Sequence, residues 1–222
     1  NVCNQLSLSF RGNFEIIFRV YNDGVAYRFI DYNSETAVVT NEVMELIFPE
    51  HSLSYFPQEE SMYSDNERLY NRLPISKIKK GDFCSLPVMF NTGKTKVLFT
   101  EASLHDYPGM FLAKTTVNTM VSQFPKHVLE TNYEKNPLYE TITQEADYIA
   151  KVSGPRPYPW RMFIISDDDR TFVESNLVTQ LSGRSKIEDA SWIKPGKVAW
   201  DWWSDNNIYG VDFKAGINQS TY

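Results

Sequence analysis

Apolar and polar residues alternate with period two along most of the first three quarters of the chain. Residues 6–10 set Leu, Leu and Phe against Ser, the pattern of a half-buried strand. Arg11-Gly12-Asn13 turns, and Phe14–Tyr21 follows as a strand rich in Ile, Phe and Val. Asn22-Asp23-Gly24 reads as a hairpin turn, with Asp-Gly supplying the positive φ such turns need, and residues 25–30 return. Residues 37–40 and 43–48 are β-branched and apolar enough for further strands. Residues 49–65 read as a polar loop with aromatic punctuation. Residues 66–73 favour neither state, and 76–80 form a short edge-like segment. Strands are predicted over 83–90, 96–100, 111–116, 146–152 and 161–166, with Pro108-Gly109 breaking the chain after the second of these. Pro155, Pro157 and Pro159 exclude regular structure between the last two.

The period then changes. Val173, Leu177 and Leu181 recur every four residues, which predicts one helix over 170–182. Thr171 and Glu174 have capping-box spacing, the run Asp167-Asp168-Asp169 suits a helix N-terminus, and Gly183 is a natural stop. After a linker, Pro195-Gly196 turns into Val198-Ala199-Trp200-Asp201-Trp202-Trp203, a strand with Trp200 and Trp202 on one face and Trp203 on the other. Many strands, then one helix, then a new strand make a mainly β protein. The pattern fits a large antiparallel β-sandwich over 1–166, a linker with a helix over 167–194, and the start of a second domain over 195–222. A domain that opens this close to residue 222 marks the chain as a piece of a longer protein.

Composition narrows the chemistry. The chain has 222 residues, 42% hydrophobic and 14% aromatic, enough for a true core. No apolar run approaches the roughly 18 residues that span a bilayer. The net charge is −6, and no basic cluster exceeds residues 77–80, which argues against nucleic acid as a partner. Cys3 and Cys84 are far apart, and a pairing does not follow from the sequence. No Cys/His spacing marks a zinc site, and His51, His105 and His127 read as surface or packed histidines. The Asp167–169 run lacks the ligand spacing of an EF-hand. Trp200, Asp201 and Trp202 are candidate substrate-binding residues, because flat aromatics beside a carboxylate suit a sugar ring. The alternative is a Trp-rich core strand.

Four stretches carry a resemblance. Tyr21-Asn22-Asp23-Gly24-Val25-Ala26-Tyr27-Arg28-Phe29 is the first. Thr100-Glu101-Ala102 with Tyr107-Pro108-Gly109-Met110 is the second, and Pro159-Trp160-Arg161 the third. Lys194-Pro195-Gly196 with Trp200-Asp201-Trp202-Trp203 is the fourth. In this order they resemble glycoside hydrolase family 97, whose members are calcium-dependent α-glucosidases and α-galactosidases. The resemblance implies a sugar-mutarotase-like supersandwich, a linker helix and the first strand of a truncated (β/α)8 barrel. It also implies an oligosaccharide or α-glycoside substrate and a periplasmic or secreted location. One glutamate reaching from the sandwich to the calcium ion matches Glu101. The family's catalytic carboxylates lie on later barrel strands, so they are expected beyond residue 222. Glycoside hydrolysis needs two carboxyl groups across the bond, and the chain alone is expected to be inactive. A non-catalytic carbohydrate-binding β-sandwich is the alternative. The sequence separates neither glucoside from galactoside nor inversion from retention.

Overall fold

The computed structural model describes residues 2–134, 140–197, 210–214 and 218–220. Seventeen strands are found among them. The first group is β1 (Asn4–Phe10), β2 (Phe14–Tyr21), β3 (Gly24–Asp31), β4 (Thr36–Val39), β5 (Glu45–Ile47) and β6 (Leu53–Glu59). Then come β7 (Tyr70–Pro74), β8 (Phe83–Cys84), β9 (Val88–Asn91), β10 (Lys96–Ala102), β11 (Phe111–Lys114) and β12 (Thr119–Gln123). The last are β13 (Val128–Asn132), β14 (Thr141–Glu145), β15 (Ala150–Ser153), β16 (Arg156–Pro157) and β17 (Trp160–Ser166). Two short helices follow, α1 (Arg170–Glu174) and α2 (Leu177–Leu181). No helix among the described residues is long and apolar enough to cross a membrane.

The strands pair in the order β1-β2-β3-β17-β10-β9-β6-β8-β11-β12-β5, every contact antiparallel; β13-β14 and β15-β4 form separate pairs. β6 carries the path from one layer to the other: Leu53–Tyr55 pair with β9, and Gln58–Glu59 pair with β8. Pro57 falls at that changeover, where a missing N–H costs no bond on either partner. This is why a strand runs through a stretch that its proline made look like loop. The main core lies between the layers and joins Phe56, Phe90, Phe99, Leu112, Met120 and Val152. This is a β-sandwich.

Several expectations change. β1 is exposed along its whole length, Leu6, Leu8 and Phe10 included, because it is the sheet edge and no described residue covers it. The predicted strand over 83–90 is split at Ser85–Pro87, and the segment at 76–80 begins in a short 3-10 turn, Ile75–Lys77. A two-residue strand, β16, forms among the prolines and pairs with β3. The hairpin forms, with Tyr21 paired to Gly24, yet Gly24 has no positive φ. A β-carbon there would lie 2.2 Å from the Phe163 carbonyl and 2.9 Å from Leu177. Glycine is needed for close packing against β17, not for the turn.

The predicted single helix is two. Ser175 leaves the helical conformation, and its hydroxyl lies 2.6 Å from the Asp23 carboxylate and accepts a bond from the Leu177 N–H. The capping box does not form: the Thr171 hydroxyl bonds Ser166, and Asp168 accepts from the Arg170 N–H. The residue after α2, Ser182, is extended, and Gly183 has no left-handed φ. Leu177 and Leu181 bury in a second core with Trp160, Met162 and Ile164, on the opposite face of the sheet from the main core. Residues 170–183 therefore pack on the sandwich, and one compact unit runs from Asn1 to Gly183, past the boundary expected at 166.

The second unit is Arg184–Tyr222. Its described part holds local turns, such as the Ser191 N–H on the Asp189 carboxylate at 2.9 Å. The predicted strand over 198–202, with Trp200, Asp201 and Trp202, lies outside the described residues.

Candidate functional site

Glu101 is the next-to-last residue of β10, and strand register sets it opposite Arg161 of β17, which in turn lies opposite Tyr27 of β3. These side chains share the core-facing side of the sheet with Phe99 and Phe163. An arginine in the middle of Trp160-Arg161-Met162-Phe163-Ile164-Ile165 needs partners, because a buried charge is stable only when paired. Arg161 is 1% exposed and makes three hydrogen bonds to two carboxylates. Its Nε and Nη2 donate to the two oxygens of Glu42 at 2.8 and 2.7 Å, a bidentate grip. Its Nη1 donates to Oε2 of Glu101. The guanidinium also lies over the rings of Tyr107 and Phe124.

Glu101 is closed in from the other side by a loop. The Met110 N–H reaches both of its oxygens at 3.3 Å. A β-carbon on Gly109 would stand 3.3 Å from Oε1, so glycine lets the loop pass this close. Tyr107, from the same loop, sets its hydroxyl 3.1 Å from Oε2 of Glu42. Tyr21–Phe29, Thr100–Ala102, Tyr107–Met110 and Pro159–Arg161 are thus brought to one place by β3, β10, β17 and this loop. The sequence did not point to Glu42, and it gave Arg161 no role.

Two carboxylates share one guanidinium here. Burial pushes the Glu101 carboxyl above its ordinary range; Arg161 and the Met110 N–H draw it down, and the Glu42 charge adds to the rise. Burial works against the Arg161 charge as well, but its bonds to Glu42 outweigh that and hold it firmly protonated. Burial, with Glu42 beside it, raises the Tyr27 hydroxyl to about 12.

Glu101 sits where β10 gives way to the loop that carries Pro108-Gly109, and it is held on two sides. Its Oε2 is taken by Arg161, while Oε1 accepts one long bond, from Met110. A carboxylate with one weakly engaged oxygen fits one position in calcium's shell of about six to eight oxygens. Among the described residues, no group of three His, Cys, Asp or Glu is placed to hold a metal ion. The Asp167–169 run is engaged elsewhere: Asp168 pairs with Arg170 and Asp169 with Lys96. Cys3 and Cys84 are both free thiols.

Residues 1–183 match the model of the glycosyl hydrolase 97 N-terminal domain. The chain belongs to glycoside hydrolase family 97. The match ends where the compact unit ends. A retaining alpha-galactosidase of Bacteroides thetaiotaomicron is 36% identical over 100% of this chain and 35% of its own length. A probable retaining alpha-galactosidase of Streptomyces bingchenggensis is 26% identical, over 87% of this chain and 27% of its own. The chain thus spans about a third of the length of these curated relatives. A family 97 enzyme variant from Pseudoalteromonas sp. strain K8 superposes with a TM-score of 0.70, at 20% identity, over 98% of this chain and 31% of that one. The enzyme from the same strain in complex with acarbose gives 0.65 at 19% identity, over 86% and 27%. These structures share the fold: the chain is the family 97 N-terminal β-sandwich with the residues that follow it.

Proposed function

We propose that the chain is the N-terminal part of a retaining α-galactosidase, and that its sandwich contributes Glu101 as one calcium ligand. The 36% identity to the Bacteroides thetaiotaomicron enzyme, along the whole chain, carries the choice of galactoside and of retention. The weakly engaged Oε1 of Glu101, near the end of β10, supports the ligand role. The remaining ligands, and the two carboxyl groups that hydrolysis requires, then come from the catalytic domain. Calcium would polarise the substrate and its surroundings as a hard Lewis acid. This chain's own part is to hold one carboxylate still: Arg161 fixes Oε2, and the Met110 N–H sets the plane of the group. Trp200, Asp201 and Trp202 are proposed to bind the oligosaccharide or α-galactoside.

The test compares the full-length parent enzyme with the 222-residue chain. The parent should hydrolyse p-nitrophenyl α-galactoside faster than the α-glucoside, lose activity in a chelator, and release galactose first as the α-anomer, read by proton NMR. The chain should hydrolyse neither. A preference for glucoside, or release of the β-anomer, would overturn the reading.

A further inference from the structure

The grip of Glu42 on Arg161 has a use beyond packing. An arginine that met Glu101 alone would form a neutral pair with it and compete with a cation for its oxygens. Glu42 takes two of the three guanidinium nitrogens, at 2.8 and 2.7 Å, and leaves one for Glu101. Two carboxylates and one guanidinium carry a formal charge of −1, in a cluster where Arg161 is 1% exposed and the two glutamate side chains 10% and 12%. Glu42 also accepts from Tyr107, whose loop supplies the Met110 N–H to Glu101. One residue therefore offsets the arginine's charge and anchors both groups that hold Glu101.

We propose that Glu42 is a positioning residue for the metal ligand Glu101: it cancels and orients Arg161, so that Glu101 offers an anionic oxygen to a divalent cation. This rests on the reading of Glu101 as a calcium ligand. Charged neighbours of a ligand commonly change metal affinity by about 10–100-fold when removed. A purely structural Glu42 would instead lower stability and leave affinity alone.

The experiment titrates calcium chloride into chelator-stripped, full-length enzyme by calorimetry, well below the melting temperature measured in chelator. Three variants are compared: E101Q, E42Q and Y107F. E42Q, which removes the charge and keeps the shape, should raise the calcium Kd about tenfold or more. Y107F, which removes only the hydroxyl on Glu42, should raise it by about two- to tenfold. If E101Q leaves the Kd unchanged, the calcium reading itself fails. If E101Q weakens binding and a folded E42Q does not, the positioning role fails alone. If E42Q does not fold, Y107F decides: an unchanged Kd there overturns the proposal.

Discussion

Glu101 and Arg161 face each other in register across β10 and β17, joined through Nη1 and Oε2, and 60 residues of chain separate them. Removing the guanidinium leaves Glu42 and Glu101 as two largely enclosed carboxylates without a cation. Taking one partner from a buried ion pair costs about 3–5 kcal/mol. Arg161→Met should destabilise the chain by about that much in urea unfolding. Arg161→Lys should lose less, because it keeps the charge but not the planar fork. A loss under about 1 kcal/mol in Arg161→Met would mean the trio contributes little to the fold.

Gly24 is set by crowding, and a substitution should show it. The added carbon of Gly24→Ala meets the Phe163 carbonyl at 2.2 Å, so β3 and β17 must move apart. Overpacking of this kind costs about 1–3 kcal/mol or more. Gly183→Ala meets nothing within 4 Å and should stay within about 0.5 kcal/mol of the parent chain. Equal melting temperatures for the two variants would contradict the close approach.

Glu59 should give the chain an acid-sensitive contribution. Burial pushes its carboxyl up, but bonds from Ser64, Arg68 and Ser85 bring it to a net position below the ordinary range. A carboxylate whose folded pKa is depressed adds stability that is full above its unfolded pKa and is lost as pH falls through the folded one. Glu59→Gln should therefore cost about 1–3 kcal/mol at pH 7, and the gap to the parent chain should close below the carboxylate range. The check is a series of urea midpoints from pH 7 to pH 3. A gap that stays constant over that range would show that charge is not what Glu59 contributes.

The two thiols should behave differently. Cys84 is fully buried on β8, and burial pushes its thiol well up, so little thiolate forms. Cys3 is half-buried near the start of the chain. Ellman's reagent should find one thiol in the native chain and two after unfolding, with no reductant needed. Two thiols titrating at once in the native chain would show that β8 opens.

The hairpin β2-β3 and most strands were legible from local periodicity, although Gly24 sits at the hairpin for close packing and not for the positive φ that located the turn. β6 was not: Pro57 has a place only at a changeover between two partner strands, and no local pattern records that. Glu101 was reached through a resemblance, since an isolated glutamate after an apolar strand looks like any solvated residue. Arg161 left a trace, a charge inside an apolar strand, that calls for a buried partner. Glu42 left none, because the residue it holds lies 119 positions away. The stripe of Val173, Leu177 and Leu181 was visible, but Ser175, which splits it by bonding Asp23, follows from a contact across 152 positions.

That split yields the last prediction. A single helix would place Val173, Leu177 and Leu181 on one buried face. With the break at Ser175, Val173 is 88% exposed, while Leu177 has no exposed surface and packs with Trp160, Met162 and Ile164. Leu177→Ala removes a buried branched side chain and leaves a space under β17, for a loss of about 2–5 kcal/mol. Val173→Ala removes methyl groups already in water and should change stability by less than about 0.5 kcal/mol. Ending the chain at residue 169 should uncover the second core and cost at least as much as Leu177→Ala, because it removes Leu181 as well. Ending it at residue 183 should leave a chain that still unfolds in one cooperative transition, because the compact unit ends there. The measurement is urea unfolding of the four chains, followed by tryptophan fluorescence, since Trp160 lies in that core. Equal losses for Leu177→Ala and Val173→Ala would restore the single helix. A chain ending at 169 that melts like the parent would return residues 170–183 to the linker.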